Sequence, residues 1–216
     1  MDKIFAASLP NGPRTFFEVG CGGGKWLVYF GKRFGYSVSG IDYSEGGVLE
    51  ASRSVSLAGM KADVIHGDIF SARLKHRYDV VLSDGFLEHF DNTAETLSYM
   101  AAHVRKGGHL ITIVPNLTGF QKFLLSLFNH EREIFQTHKP LTKEQLVGAY
   151  KASRFTKIRF YEIGSVIPKT FAVPGIVSKT LNVLLRVADI VGIDIEGEKI
   201  SNTYLVMGKR DSTLSL

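Results

Sequence analysis

Runs of mostly apolar residues alternate along the chain with segments in which apolar residues recur every three or four positions. Apolar runs bounded by glycine, aspartate or serine are typical of buried strands, and the wider spacing is typical of amphipathic helices. The strand-like runs in the first half of the chain are residues 15–19, 36–41, 62–66, 78–83 and 107–116. Helical patterns separate most of these runs, which predicts crossover connections and a parallel sheet.

Two predicted helices carry start signals that depend only on local spacing. Asn92 and Glu95 stand at capping-box spacing before one helix, and Thr142 and Gln145 stand at the same spacing before another. Residues 105–107, two cations followed by glycine, have the composition of a helix end. The first of these helices is therefore predicted to run from about residue 92 to that segment.

Composition limits the class of protein. The chain has 216 residues, 44% of them hydrophobic and 22% charged, which predicts one globular domain. Cys21 is the single cysteine, so no internal disulfide can form, and a lone thiol is usual in a reducing compartment. The first ten residues lack the apolar run of a signal peptide, and no uncharged apolar stretch has spanning length. We therefore predict a cytoplasmic protein.

The formal charge of +5 is compatible with nucleic acid, an anionic membrane surface or an acidic small substrate. The basic residues are scattered, and the densest group, residues 73–77, precedes a predicted strand and is interpreted as a solvated face. No basic stripe is interleaved with aromatic residues. The sequence thus predicts no DNA partner and disfavours RNA, and it leaves peripheral membrane contact open.

Residues 18–24 form a glycine-rich turn between a predicted strand and a predicted helix. Such a turn lets a ligand approach the backbone closely and directs helix N–H groups toward it. Lys25 stands where a dinucleotide-binding turn has its third glycine, so a pyrophosphate cradle is the weaker interpretation.

Two carboxylates follow at the ends of the next two strands. Asp42 lies about twenty residues after the glycine turn, where a carboxylate can accept hydrogen bonds from ribose hydroxyls. Asp68 is followed by Ile69, so it can accept from an exocyclic amine while apolar side chains cover a flat base. Each has a plainer alternative, because Asp42 fits a helix-capping turn and Asp68 fits an Asx turn.

Taken in order, the glycine turn, the two acids and the Leu-Glu-His segment at 87–89 resemble the class I S-adenosylmethionine-dependent methyltransferases over about residues 15–163, and more weakly over 201–209. The resemblance is strongest to small-molecule enzymes, such as ubiquinone-pathway, sugar and natural-product O-methyltransferases. It implies an α/β fold: a Rossmann-like, seven-stranded, mostly parallel sheet with helices on both faces and an antiparallel last strand. Residues 1–216 would form one domain with helical lid insertions at about 116–140 and 164–200.

The resemblance also implies a cofactor, S-adenosyl-L-methionine, with S-adenosyl-L-homocysteine as the product. The expected cofactor-binding residues are Glu18, Gly20, Cys21, Gly22, Gly24, Asp42, Tyr43, Asp68, Ile69 and Ser83. The expected substrate-binding residues are Phe86, His89, Phe120, Arg132 and His138.

His89 and His138 are the candidate catalytic residues, since a histidine suits the general base that a hydroxyl acceptor needs. Either could instead orient the backbone or line the pocket. The ubiquinone-type relatives imply a divalent metal held by a Glu-x-x-Glu-His set. Here Gly85 occupies the first position, so no metal is predicted.

These features predict methyl transfer to a hydroxyl group of a small molecule, with an amphipathic ring-containing acceptor under the lid. Residues 83–86 lack the two prolines common in enzymes that methylate nucleobase amines. Methylation of a small amine or of RNA nitrogen is the alternative, and a cofactor-binding interaction subunit without turnover is another. The amphipathic segment 177–191 is compatible with lid packing, a homodimer contact or a membrane surface.

Overall fold

Seven strands hydrogen-bond into one sheet in the order β3-β2-β1-β4-β5-β7-β6. Only β7 runs antiparallel to the others. The strands are β1 (Thr15–Val19), β2 (Ser37–Asp42), β3 (Ala62–His66), β4 (Tyr78–Asp84), β5 (Val104–Pro115), β6 (Phe155–Ile163) and β7 (Thr203–Arg210). This arrangement confirms the predicted sheet and its antiparallel last strand.

Helices connect the strands. They are α1 (Asp2–Ser8), α2 (Lys25–Phe34), α3 (Glu45–Leu57), a 3-10 helix (Leu87–His89), α4 (Thr93–Ala102), α5 (Glu131–Thr137) and α6 (Lys143–Ala152). The computed structural model describes residues 1–74, 76–118, 122, 126, 131–163 and 203–212, without the side chains of residues 131–133. The expected insertion at 164–200 lies outside these residues, as does much of the one at 116–140.

Hydrophobic side chains cover both faces of the sheet. Phe16 and Phe17 are fully buried in two different apolar clusters, and so are Leu110 and Ile111 of β5. Successive residues of a strand point to opposite faces, so each pair supplies one side chain to each layer. This double burial explains why the central strands are continuous apolar runs and do not alternate with polar residues.

Helix α1 was not predicted, yet it completes one of these layers. Phe5 is fully buried, with its ring centroid 5.6 Å from that of Trp26 and 5.4 Å from that of Phe30. Asp2 accepts hydrogen bonds from Tyr29 Oη at 2.7 Å and from Arg33 Nε at 3.0 Å. The amino-terminal segment therefore packs on α2.

The predicted helix starts are confirmed. The Asn92 side chain accepts from the Glu95 N–H at 3.1 Å, and Thr142 and Gln145 form both hydrogen bonds of a capping box. The predicted end of the first helix is wrong. Helix α4 stops at Ala102, and residues 105–107 belong to β5 because that strand already pairs with β4 at Val104.

None of the helices among the described residues combines the length and the apolar character needed to cross a bilayer.

The hydroxyl of Tyr150 in α6 contacts polar groups of two strands, β5 and β7, inside one layer. Its side chain is fully buried, and its hydroxyl lies 3.1 Å from Thr112 Oγ1 and 3.0 Å from the Val206 carbonyl, to which it donates. Burial raises the pKa of this phenol far above its usual range. The hydroxyl therefore stays protonated and satisfies groups that would otherwise be unpaired in the core.

We expect Tyr150→Phe to lower the free energy of unfolding by about 1–3 kcal/mol, because it leaves a buried hydroxyl and a buried carbonyl short of a partner. Urea denaturation followed by circular dichroism measures this loss. Tyr29→Phe is the matched control, since the Tyr29 hydroxyl bonds Asp2 at the surface, and its effect should be much smaller. Equal losses in the two variants would contradict this assignment.

Candidate functional site

A cavity of about 530 Å³ opens at the carboxyl ends of β1 and β4, beside the point where the strand order reverses. Ligands of open parallel sheets bind at such a switch point. The cavity is lined by Val19, Gly20, Ile41, Asp42, Tyr43, Gly67, Asp68, Ile69, Phe70, Gly85, Phe86, His89 and Phe90. We refer to this cavity as the cleft.

The glycine turn begins one wall of the cleft. Gly20 has φ +71° and Gly24 has φ +68°, conformations that favour glycine. Gly24 is the N-cap of α2, and a Cβ atom there would lie 3.0 Å from the Ala51 backbone. Cys21 is fully buried, and burial raises the pKa of its thiol to about 12. The thiol is therefore a packing group in this turn and not a nucleophile.

Asp42 joins the glycine turn to the next loop. Its Oδ2 accepts from the Gly22 N–H at 2.7 Å, and its Oδ1 accepts from the Ser44 N–H at 2.8 Å. A Cβ atom on Gly47 would lie 2.8 Å from Oδ1, so a side chain at that position would displace the carboxylate. An ionised carboxylate has about four acceptor positions, and two backbone donors leave capacity for hydroxyls of a ligand.

Asp68 forms the Asx turn that the sequence offered as its plainer role, with Oδ1 accepting from the Phe70 N–H at 2.9 Å. Its side chain also lines the cleft. Aromatic rings form the wall beside it. The ring centroids of Phe70 and Phe90 are 5.0 Å apart, and those of Phe86 and Phe90 are 4.8 Å apart. A planar apolar group can lie against this wall.

Glu18 lies beneath the glycine turn. Its carboxyl group is buried, and within the described part of the chain its Oε2 has no hydrogen-bond partner. Burial raises the pKa of Glu18 to about 8, and the neighbouring Asp84 adds to the effect. Asp84 itself accepts from Trp26 Nε1 at 2.8 Å and lies 3.5 Å from Lys25 Nζ. Lys25 at the start of α2 therefore has a carboxylate beside it.

The two candidate catalytic histidines meet. Their ring centroids are 4.5 Å apart, although one follows β4 and the other follows α5. His89 Nδ1 lies 2.8 Å from the Thr137 carbonyl, which can only accept, so Nδ1 carries the proton and Nε2 is the acceptor of the neutral ring. His138 Nδ1 lies 2.8 Å from Thr137 Oγ1. Burial and the neighbouring His89 lower the pKa of His138.

Glu88 lies beside these rings, and ligand atoms of Glu88, His89 and His138 all lie within 4.8 Å of one another. Glu88 Oε2 is buried without a partner among the described residues, and burial raises the pKa of this carboxyl to about 7. One carboxylate and two imidazoles suit a transition-metal ion better than magnesium or calcium. The three side chains fit such an ion. The expectation that the protein binds no metal stays a prediction.

The cleft unites many of the predicted site residues. Its lining includes the predicted residues Gly20, Asp42, Tyr43, Asp68, Ile69, Phe86 and His89. Glu18, Cys21 and Ser83 are buried below it, and Gly22 and Gly24 belong to the adjoining turn. His138 reaches the site through its contact with His89. Phe120 and the side chain of Arg132 lie outside the described residues.

Sequence reasoning missed three side chains that the structure adds to this region. Asp84, Glu88 and Phe90 were not among the predicted site residues. The signal that was available is their position directly after β4, since side chains at the carboxyl end of a central strand face the ligand region.

Comparison with known families identifies residues 2–163 as a match to the family described as "Methyltransferase domain". Among individual relatives, a mitochondrial ubiquinone biosynthesis O-methyltransferase of Schizosaccharomyces pombe is 27% identical over 172 residues, covering 77% of this chain and 61% of that protein. An uncharacterized methyltransferase of Mycobacterium bovis is 28% identical over 113 residues, covering 52% of this chain and 56% of that protein. The chain thus matches about three fifths of the length of these relatives.

The fold has solved counterparts. A SAM-dependent methyltransferase from Archaeoglobus fulgidus superposes with a TM-score of 0.64 at 20% identity, covering 96% of this chain and 92% of that one. At this identity the likeness concerns the fold alone.

The buried Glu18 predicts a pH dependence of stability. Its pKa is raised from 4.5 to about 8 in the folded chain, so between these values the folded state holds a proton that the unfolded state has lost. The free energy of unfolding therefore decreases as pH rises across this window, by up to about 1.4 kcal/mol per pH unit from this group. Glu18→Gln should remove that contribution and flatten the profile. Urea denaturation at a series of pH values measures it.

Glu50→Gln provides the matched control, because Glu50 is exposed on α3 and its replacement should leave the slope unchanged. An unaltered slope in Glu18→Gln would show that the Glu18 carboxyl is already ionised in the folded protein.

Proposed function

The chain belongs to the class I S-adenosylmethionine-dependent methyltransferases, and we propose that it transfers a methyl group to a hydroxyl of a small molecule. The observation that carries the proposal is the cleft itself. The cleft contains two carboxylates at strand ends, and it contains His89, whose Nδ1 is held by a hydrogen bond so that Nε2 is the acceptor. The carboxylates suit recognition of a nucleoside, and the histidine suits removal of a hydroxyl proton.

The residues present fit the cofactor. Asp42 retains acceptor capacity for ribose hydroxyls, and Asp68 lies where it can accept from the adenine amine. Ile69 and Phe70 provide an apolar surface for the base. Bound S-adenosyl-L-methionine would supply a methyl group activated by its sulfonium, and its methionine part would lie over the glycine turn. Asp84 beside that turn favours a positively charged ligand there.

His89 is the general base of the proposed reaction. The Thr137 carbonyl holds the proton on Nδ1, so Nε2 is free to take a proton from an acceptor hydroxyl. His138 packs against the same ring, and its lowered pKa keeps it neutral, so it positions His89 without adding a second positive charge. The apolar wall excludes water from the reacting groups.

The acceptor class follows from the wall of the cleft. Phe70, Phe86 and Phe90 favour an acceptor with an apolar or aromatic portion. The similarity to a ubiquinone biosynthesis O-methyltransferase supports oxygen as the acceptor atom. We therefore propose a hydroxylated ring compound as the substrate.

Asp42→Ala and Asp68→Ala should each weaken binding of S-adenosyl-L-methionine by about tenfold to a hundredfold, because each removes a charged hydrogen-bond acceptor. Isothermal titration calorimetry measures this directly. Asp63→Ala is the matched control, since Asp63 is an exposed aspartate of β3 outside the cleft. Unchanged affinity in both cleft variants would refute the cofactor site. Asp42→Asn distinguishes the contribution of ribose contact from that of the hydrogen bond to the Gly22 N–H, because the amide keeps one oxygen acceptor.

His89→Gln should lower the turnover number by about a hundredfold or more while leaving cofactor affinity unchanged, because a general base acts on the rate and not on donor binding. The assay follows a methyl-labelled donor with a panel of phenols and matched amines. His76→Gln, an exposed histidine before β4, should retain full activity. Transfer of label to amines in place of phenols would contradict the choice of oxygen.

A further inference from the structure

A second cavity, of about 640 Å³, opens at the opposite end of the sheet, where the parallel strands begin. Of the residues that the structure describes, six basic side chains line it, and they come from four separate parts of the chain: the segment before β1, and strands β5, β6 and β7. They are Arg14, Lys106, His109, Lys157, Arg159 and Lys209. We refer to this cavity as the basic cleft.

The basic cleft carries an excess of positive charge. Among the residues that the structure describes, its single acidic lining residue is Asp79, whose Oδ2 accepts from the Thr15 N–H at 2.8 Å, from Thr15 Oγ1 at 2.9 Å and from Arg105 Nη1 at 3.1 Å. Within the described residues, none of the lysines and arginines that line the cavity forms an ion pair with a carboxylate. Arg159 donates instead to the neutral Ser8 Oγ, at 3.2 Å.

The pKa of His109 is affected by the same excess of positive charge. It is half-buried, and its pKa is lowered to about 4, first by burial and then by the charges of Lys209 and Arg159. The ring is therefore neutral near pH 7 and adds a hydrogen-bonding group without adding a sixth ionic contact. A bound anion would oppose the part of this pKa shift that comes from Lys209 and Arg159.

The backbone of β6 is distorted where it enters the basic cleft. The ladder with β7 is irregular between Thr156 and Arg159, and Lys157 has φ +48°. This positive φ is unfavourable for a lysine, whereas glycine adopts it at a lower cost in free energy. Bulges of this kind redirect side chains and are frequent near binding sites. Here the irregular segment contains Lys157 and ends at Arg159, two of the cations that line the cavity.

We infer that the basic cleft binds a small molecule carrying two or more phosphate groups. Arginine and lysine are the side chains that recognise phosphate oxygens, and several unpaired cations around one concavity match a multiply charged anion. The cavity volume falls within the range of small-molecule sites. Tyr36, the aromatic residue in its lining, is buried and donates its hydroxyl to the Pro10 carbonyl, so it offers no exposed face for stacking a base.

Pyrophosphate is the probe that tests this site. Titrated into the full chain at fixed ionic strength, it should bind saturably at one site, and inorganic phosphate should bind more weakly because it contacts fewer cations. Lys157→Gln combined with Arg159→Gln should weaken pyrophosphate binding by about tenfold or more. Arg53→Gln combined with Lys61→Gln is the matched control. It removes the same charge from exposed positions outside both cavities and should change affinity by less than about twofold.

Several outcomes would overturn the inference: non-saturating binding of pyrophosphate, equal losses in the two double variants, or unchanged binding in the first. Tighter binding of a single-stranded RNA or of phosphatidylserine vesicles, lost in the same variant and not displaced by pyrophosphate, would assign the surface to a macromolecule or membrane instead. Lys157→Gly removes one cation while fitting the positive φ, so it tests the site if the double variant folds poorly. Binding of S-adenosyl-L-methionine should be unaffected in every variant.

Discussion

The candidate site depends on the carboxylate of Asp42. Its two oxygens accept backbone hydrogen bonds from two different loops, at Gly22 and at Ser44, and so fix the separation of the glycine turn and the start of α3. A side chain at either neighbouring glycine would crowd this carboxylate, since a Cβ atom at Gly22 would lie 3.1 Å from Oδ2 and one at Gly47 would lie 2.8 Å from Oδ1. The glycines after β1 and at the start of α3 are therefore explained partly by the acid between them.

Around this link the structure retains buried polar atoms that the described residues do not satisfy. They belong to Glu18, Ser83 and Glu88, which all lie at or just after the carboxyl-terminal parts of β1 and β4. Unpaired buried polar groups oppose folding, and folded proteins contain few of them. Their clustering at the edge of one cleft is typical of a site that binds a ligand or transfers protons, because such groups find partners only when a ligand is present.

The two ends of the sheet carry opposite charge. Asp42, Asp68 and Asp84 lie at the carboxyl ends of the parallel strands, whereas cations dominate the end where the strands begin. The net charge of +5 is therefore not spread evenly over the surface. A cationic sulfonium ligand suits the first end, and a polyanion suits the second. Since strands β4 and β5 extend from one end to the other, both clefts rest on the same rigid core.

Features that depend on neighbours in the chain could be predicted from the sequence. The buried strands, the glycine turn and the caps at Asn92 and Thr142 follow from residues within a few positions of one another. Which distant groups meet is known only from the folded structure. His138 lies against His89 because α5 returns to the end of β4, and cations from four parts of the chain converge in the basic cleft. Packing of Phe5 on α2 also joins segments whose contact no local spacing encodes. Hydrogen-bond geometry and side-chain periodicity act over a few residues, whereas long-range proximity is set by how the layers of the fold pack.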